Sequence, residues 1–159
     1  SRGDTVTVIG RDEAKGAALA ALGATFLPAD LSLVSENRRL VAELNAQGDS
    51  IDALVLCARY FRSHRRETAE GHEASFALEY LSRHLLSRGL LGLLEQAPHP
   101  IVLNVSGPGL PKPEIKWADP SLRTGYSGPA AQMQAGRAND LLGIGFPTAH
   151  PKVRTRYVL

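Results

Sequence analysis

The sequence predicts an α/β fold of the Rossmann type, with a mostly parallel sheet and helices on both of its faces. Short apolar segments rich in β-branched residues end at turn residues, and they alternate with helical segments of ten or more residues. This alternation is typical of βαβ units and hence of parallel strands. The chain has 159 residues, 43% hydrophobic and 21% charged, which suits one domain with a sizeable core.

Each element follows from its local pattern. Helix formers, an N-terminal acidic or capping residue and apolar residues at helical spacing predict helices at 14–22, 32–45, 70–95 and 129–146. Proline and glycine at several positions predict a long loop over 107–128. Short apolar runs predict buried strands at 5–9, 24–27, 51–57, 101–105 and 156–159.

The carboxyl ends of the predicted strands should form the ligand-binding edge, as in other open parallel sheets. Gly10 and Arg11 follow the first strand, and Asp30 and Leu31 follow the second. Residues 57–60 and 106–107 follow the third and fourth strands. We expect a site where these segments converge.

Composition argues against several other functions. The net charge of +2 arises from 18 basic and 16 acidic residues spread along the chain, so we expect no nucleic-acid partner. No apolar run is long enough to cross a membrane, and the five histidines lack metal-ligand spacing. The single cysteine, Cys57, excludes an intramolecular disulfide, favours a cytoplasmic location and is predicted to be a buried, inert thiol.

Six segments in order, 8–12, 29–32, 51–55, 76–83, 101–106 and 138–142, resemble successive landmarks of the short-chain dehydrogenases/reductases. The resemblance spans nearly the whole chain and implies a single Rossmann-like domain over 1–159. It also implies NADP(H)-dependent redox chemistry on the carbonyl or alcohol group of a small molecule. In the family, the helix equivalent to 76–94 also packs against the same helix of a second copy, so we expect a homodimer here.

The resemblance suggests residues that contact the cofactor. Arg11 occupies the place at which a basic residue pairs with the 2′-phosphate of NADP(H). Asp30 and Leu31 match the pair that contacts adenine, and Ala58 is what persists of the family's Asn-Asn-Ala-Gly. Two alternatives stay open: Arg11 is a solvated residue at a helix start, or Asp30 merely closes the turn before Ser32.

The family's glycine-rich cofactor turn has no counterpart in this sequence, which starts at what resembles the second strand of the family. We therefore expect an incomplete domain, truncated at both ends, that binds NADP(H) weakly or not at all. A missing central strand would leave the strands at 5–9 and 51–57 without a partner. Either the segment lies outside the structure, another chain supplies a strand, or the two strands pair directly; bare edges are not expected.

The residues at the family's catalytic positions depart from the pattern. Alignment places the helix asparagine at Glu79, the tyrosine at Gln132 and the lysine at Gly136. Because glutamine cannot exchange a proton as tyrosine does, we expect redox chemistry to be absent in this form. Two substitutes are possible: Ser106, one position before the family's serine, and Tyr126.

Two functions remain open. The first is an oxidoreductase of the family, and the second is a non-catalytic binding or dimerisation module that retains only the scaffold. The segment 59–66 mixes arginines with aromatic residues, which is typical of a solvated loop or of a surface that binds an anionic ligand. Its first residue, Arg59, stands where the family has glycine.

Overall fold

The computed structural model describes residues 3–107 and 114–159. The elements in chain order are β1 (Thr7–Gly10), α1 (Glu13–Ala20), β2 (Thr25–Pro28), α2 (Val34–Gln47), β3 (Ala53–Leu56), α3 (Ala74–Phe76), a π-helical segment (Ala77–Leu81), α4 (Ser82–Gly89), α5 (Leu91–Leu94), β4 (Ile101–Asn104), α6 (Gly128–Ala149) and β5 (Arg156–Val158). The predicted α/β fold with parallel strands is therefore confirmed. No helix among the described residues is long and apolar enough to cross a membrane.

The strands form two parallel sheets. β1 pairs with β2, and β3, β4 and β5 form the second sheet in that order. β1 and β3 share no ladder, so the direct pairing that was one of the three alternatives does not occur. Within the described residues β1 pairs only with β2 and β3 only with β4, so the other two alternatives, a segment outside the structure or a strand from another chain, stay predictions.

Local sequence explains the first βαβ unit. The Asp12 carboxylate accepts a hydrogen bond from the Lys15 amide at 3.0 Å and caps α1. Gly16 faces the ring of Phe26 on β2, and a Cβ at this position would lie 2.3 Å from that ring. The helix can approach the sheet this closely because residue 16 has no side chain.

The N-terminus of α2 is capped from a distant part of the chain. Its N-cap residue, Leu33, offers no side-chain hydrogen bond. Instead, the Glu70 carboxylate accepts hydrogen bonds from the Val34 amide at 2.5 Å and the Ser35 amide at 2.9 Å. A carboxylate here satisfies two free amides and complements the helix dipole. This contact ties the loop before α3 to α2.

The main core covers one face of the three-stranded sheet. Leu56 of β3 and Val102 of β4 are buried against Leu86 of α4, Leu93 and Leu94 of α5, and Leu90 between these helices. Burial of each such side chain stabilises the fold by about 1.5–3 kcal/mol. The core therefore fixes α4 and α5 on the sheet, and with them the polar residues of the preceding π-helical segment.

The opposite face of this sheet is exposed. Val55, Leu103 and Val158 lie in register on adjacent strands, with 53%, 37% and 39% of their surface accessible. Cys57, two residues after Val55, is also exposed, so the prediction of a buried thiol is wrong. The apolar run predicts a strand buried on both faces, whereas none of the described helices covers the face of the sheet that carries Val55.

The helix predicted over 70–95 is interrupted. α3 passes into the π-helical segment and then into α4, and Leu90 separates α4 from α5. The apolar spacing predicted the face that packs on the sheet, but it did not reveal the π-helical turn. Such turns are rare and frequently mark functional sites. This one carries Glu79.

Candidate functional site

A buried arginine joins the carboxyl ends of β3 and β4. Arg83 of α4 is 2% exposed and donates hydrogen bonds to the Val105 carbonyl at 2.9 Å, to the Ala58 carbonyl at 3.1 Å and to the Asn104 side chain. The Val105 amide in turn donates to the Leu56 carbonyl, which continues the parallel ladder beyond the strands. These bonds hold the two predicted ligand-binding segments side by side.

Asn104 connects this arginine to α6 and β5. Its amide nitrogen donates to the Asn139 side chain at 2.8 Å and to the Tyr157 hydroxyl at 2.9 Å. Asn139 donates to the Glu79 carbonyl at 2.7 Å. Burial raises the pKa of Tyr157 to about 12, against the hydrogen bond from Asn104 and the charge of Arg83, so this hydroxyl stays protonated.

Three side chains from separate parts of the chain meet at this edge. Gln132 of α6 donates its amide nitrogen to Glu79 Oε1 at 2.6 Å. Arg59, in the segment after β3, donates Nε and Nη2 to Gln132 Oε1 at 2.8 and 2.5 Å, and its Nε lies 3.6 Å from Glu79 Oε2. We call Arg59, Glu79 and Gln132 the 59–79–132 cluster.

Glu79 is the buried member of this cluster. Its side chain is 7% exposed, and burial raises its pKa. The opposing influences are the hydrogen bond from Gln132, the charge of Arg59, the backbone amide of Tyr60 and the charge of Arg83. Burial therefore outweighs donors and cations that would otherwise favour the charged carboxylate.

The residues predicted to contact the adenosine end lie on the other sheet. Arg11 Nη1 is 3.4 Å from Asp30 Oδ2, with 56% and 32% of the two side chains exposed. Asp30 also accepts hydrogen bonds from the Ser32 hydroxyl at 2.6 Å and the Ser32 amide at 2.9 Å. Burial works against its charged form, but the bonds from Ser32 and the charge of Arg11 prevail and lower its pKa. The turn closure that was weighed as an alternative is thus present beside an exposed cation.

Leu31 and Ala58 take part in the scaffold. The Leu31 side chain packs against the main core, and its carbonyl accepts a hydrogen bond from Asn37 at 2.9 Å. The Ala58 carbonyl is the acceptor for Arg83. These contacts keep both residues at the predicted edge, and their role toward a cofactor stays a prediction.

The two candidate catalytic residues are engaged differently. The Tyr126 hydroxyl donates to the Arg62 carbonyl at 3.2 Å. The buried hydroxyl of Ser106 has no hydrogen-bond partner in the described part of the chain, so the two residues share no hydrogen bond there. The prolines at 108, 111 and 113 of the predicted loop lie outside the described residues. A catalytic role for Ser106 and Tyr126 stays a prediction.

The contact among the members of the 59–79–132 cluster is not predictable from any one of these residues alone. Each was noted as a departure from the family: arginine for glycine, glutamate for asparagine and glutamine for tyrosine. Three substitutions relative to the family pattern that surround one site indicate that the new side chains interact with one another. Arg83 was missed as well, because a basic residue on an amphipathic helix usually lies on its exposed face.

Comparison with known proteins adds curated relatives and solved structures. No family model matches the chain. It is 34% identical, over 132 residues, to the NmrA-like family domain-containing oxidoreductase notO of Aspergillus sp. (strain MF297-2), covering 75% of this chain and 40% of that protein. It is 33% identical over 90 residues to the chloroplastic protochlorophyllide reductase A of Oryza sativa subsp. japonica, covering 55% and 23%. The chain thus spans less than half the length of either relative.

Solved structures match almost the whole chain. An uncharacterized protein from Mycobacterium paratuberculosis has a TM-score of 0.83 at 26% identity, covering 98% of this chain and 57% of that one. A short-chain dehydrogenase from Streptomyces avermitilis has a TM-score of 0.71 at 20% identity, covering 98% and 55%. The resemblance to the short-chain dehydrogenases/reductases is confirmed, and the chain has their fold.

Another short-chain dehydrogenase/reductase structure contains a cofactor. It is a metagenomic short-chain oxidoreductase in complex with NADP, with a TM-score of 0.70 at 17% identity, covering 98% of this chain and 68% of that one. At this identity the likeness concerns the fold alone. The short-chain dehydrogenase/reductase fold therefore accounts for the parallel strands and for the edge at which the 59–79–132 cluster lies.

Proposed function

We propose that the protein is an oxidoreductase-like short-chain dehydrogenase/reductase that binds NADP(H) and a small molecule but lacks the usual proton donor. The observation that carries this proposal is the side chain at the place of the family's tyrosine. There Gln132 is held by Glu79 at 2.6 Å and by Arg59 at 2.5 and 2.8 Å. Neither nitrogen nor oxygen of its amide can deliver a proton near neutral pH.

Support for NADP(H) comes from the adenosine end. Arg11 and Asp30 follow two strands that pair in register, so both side chains lie at one edge. An exposed arginine can pair with a 2′-phosphate, and its bond with Asp30 is too exposed to hold it strongly. Leu31 and Ala58 would contribute to the same groove.

The residues at the family's catalytic positions favour ligand binding over turnover. Gly136 stands where the family has the lysine that lowers the pKa of the tyrosine. Loss of general acid–base help usually slows a reaction by about 10²–10⁴-fold. Ser106 and Tyr126 are our candidates for any residual proton transfer.

The test is a fluorescence titration with NADPH, followed by turnover assays with small carbonyl compounds. We expect saturable binding that Arg11→Glu weakens at least about tenfold, since a charge-assisted pair contributes about 1.5–3 kcal/mol. Arg38→Glu is the matched control, because Arg38 is an exposed arginine on α2. Absence of NADPH binding would remove the cofactor proposal, and rapid NADPH oxidation by the unaltered chain would remove the loss of proton transfer.

A second candidate, a dimerisation module, is favoured by an apolar surface along α4 and α6. A cavity of about 280 Å³ lies there; Leu141 and Trp117, which line it, are 44% and 75% exposed, and Ile144, also on α6, is 70% exposed. We propose that a second copy covers this surface, as the family's equivalent helix does. Sedimentation equilibrium should show a dimer that Ile144→Glu dissociates, whereas Leu22→Glu, at an 84% exposed site elsewhere, leaves it intact. A monomer at all concentrations would contradict this.

A further inference from the structure

We propose that Arg59 binds a carboxylate of the protein's small-molecule ligand, and that Gln132 and Glu79 are positioning residues for its guanidinium. The inference deepens the proposed function by naming a ligand class. It does not require bound NADP(H), so its failure can be told apart from failure of the cofactor proposal.

The hydrogen bonds of Arg59 leave one edge of the guanidinium open. Nε and Nη2 both donate to Gln132 Oε1, which occupies the side edge of the planar group. Within residues 3–107 and 114–159, Nη1 has no hydrogen-bond partner. The end edge formed by Nη1 and Nη2 therefore presents parallel N–H bonds, the geometry that a carboxylate accepts with both oxygens.

The charge of Arg59 is only partly compensated. Its nearest acceptor is a neutral amide, and the Glu79 carboxyl is 3.6 Å from Nε. Arg39 offers a contrast, since its guanidinium contacts both Glu36 and Glu43 at 2.9 and 2.8 Å. Arg39 is thus saturated by anions of its own helix. The side chain of Arg59 is 62% exposed and keeps a positive charge that an external anion can approach.

Neighbouring groups indicate what accompanies the carboxylate. Tyr60 and Phe61 follow Arg59 in the chain and are 54% and 57% exposed, so the segment that carries the guanidinium also presents aromatic side chains. An aromatic carboxylic acid would pair with the guanidinium through its carboxylate and contact these exposed aromatic side chains through its ring.

Benzoate is a suitable probe, with benzamide as its neutral counterpart. Calorimetric titration of the cofactor-free chain should detect benzoate and not benzamide. Arg59→Gln should lower the affinity for benzoate at least about tenfold, the usual effect of losing a charge-assisted hydrogen-bonded pair. Arg38→Gln, on exposed α2 surface, should change it little. Equal binding of benzamide, equal affinity in Arg59→Gln, or absence of benzoate binding would overturn the inference.

A second experiment tests the positioning role of Gln132. Gln132→Glu places a second carboxyl group between the Arg59 guanidinium and the Glu79 carboxyl, so it should compete with benzoate and abolish binding; circular dichroism checks that the variant is folded. Gln132→Ala removes the clamp without supplying a competing charge and should weaken binding less. In the unaltered chain, ¹⁵N NMR should show the Arg59 Nε resonance shifting on titration with benzoate. A purely structural Gln132 would leave benzoate affinity the same in both variants.

Discussion

The two ends of the candidate site are built in different ways. At the end predicted to contact adenosine, Arg11 and Asp30 form a single pair at 3.4 Å with both side chains partly in water. At the chemistry end, Arg83 and Asn104 are nearly inaccessible and are joined to three other elements by hydrogen bonds. The first end can change residues at little cost to the fold, whereas the second is part of the fold itself.

Loss of Arg83 should produce the largest effect and would sharpen this contrast. Arg83→Met leaves the Ala58 and Val105 carbonyls and the Asn104 side chain without their donor. We expect a decrease in the free energy of unfolding of about 3 kcal/mol, because each unsatisfied buried acceptor costs about 1–3 kcal/mol. Urea denaturation of Arg83→Met beside Arg88→Met, an exposed arginine of the same helix, measures it. Equal stability of the two variants would contradict the statement that Arg83 is part of the fold.

The close contact between α1 and β2 should have the next largest effect on stability. A Cβ on Gly16 would lie 2.3 Å from the Phe26 ring, so Gly16→Ala should destabilise the chain by about 1–3 kcal/mol through overpacking. Gly92→Ala is the matched control, since a Cβ there meets nothing within 4 Å. Thermal denaturation of both variants checks this. If Gly16→Ala is as stable as Gly92→Ala, α1 does not pack on β2 as described.

The buried carboxyl group of Glu79 should make the free energy of unfolding depend on pH. Since burial raises its pKa in the folded chain, the folded state binds more protons than the unfolded state just above the ordinary glutamate pKa. The free energy of unfolding should therefore fall as pH rises through that window, and Glu79→Gln should remove this fall. Denaturation from about pH 4 to 8 measures it.

Glu95 provides a control of opposite sign. Hydrogen bonds from the Arg154 amide and from Thr155 lower its pKa, so its contribution is present at neutral pH and lost as pH falls. Glu95→Gln should therefore flatten the acid side of the stability profile. A profile that Glu79→Gln leaves unchanged, or changes as Glu95→Gln does, would contradict a raised pKa at Glu79.

The sequence predicted that Arg11 and Asp30 lie at one edge of a sheet because this proximity depends on local order. Arg11 and Asp30 each follow directly after a predicted strand, and parallel strands bring their carboxyl ends to one edge. The chemistry end depends on contacts between residues 73 apart, for Arg59 and Gln132, and 53 apart, for Glu79 and Gln132. Periodicity cannot reveal such contacts, nor the π-helical turn at Glu79.

The strand predictions show the same limit. Apolar runs correctly predicted where β3 and β4 lie, but they did not reveal that β1 and β3 belong to separate sheets. Nor could they show that Val55 and Cys57 face outward, because an apolar run is the same whether or not a helix covers it. Pairing and covering depend on segments remote in sequence.

The central claim is that Gln132, at the position of the family's tyrosine, is held by a hydrogen bond to Glu79. A double-mutant cycle on these two residues tests it most directly. The free energies of unfolding of Glu79→Ala, Gln132→Ala and the double variant should give a coupling of at least about 1 kcal/mol, as expected for a hydrogen bond to a carboxyl group. Effects that add to within about 0.3 kcal/mol would show that the two side chains act independently, and the cluster would not exist in solution.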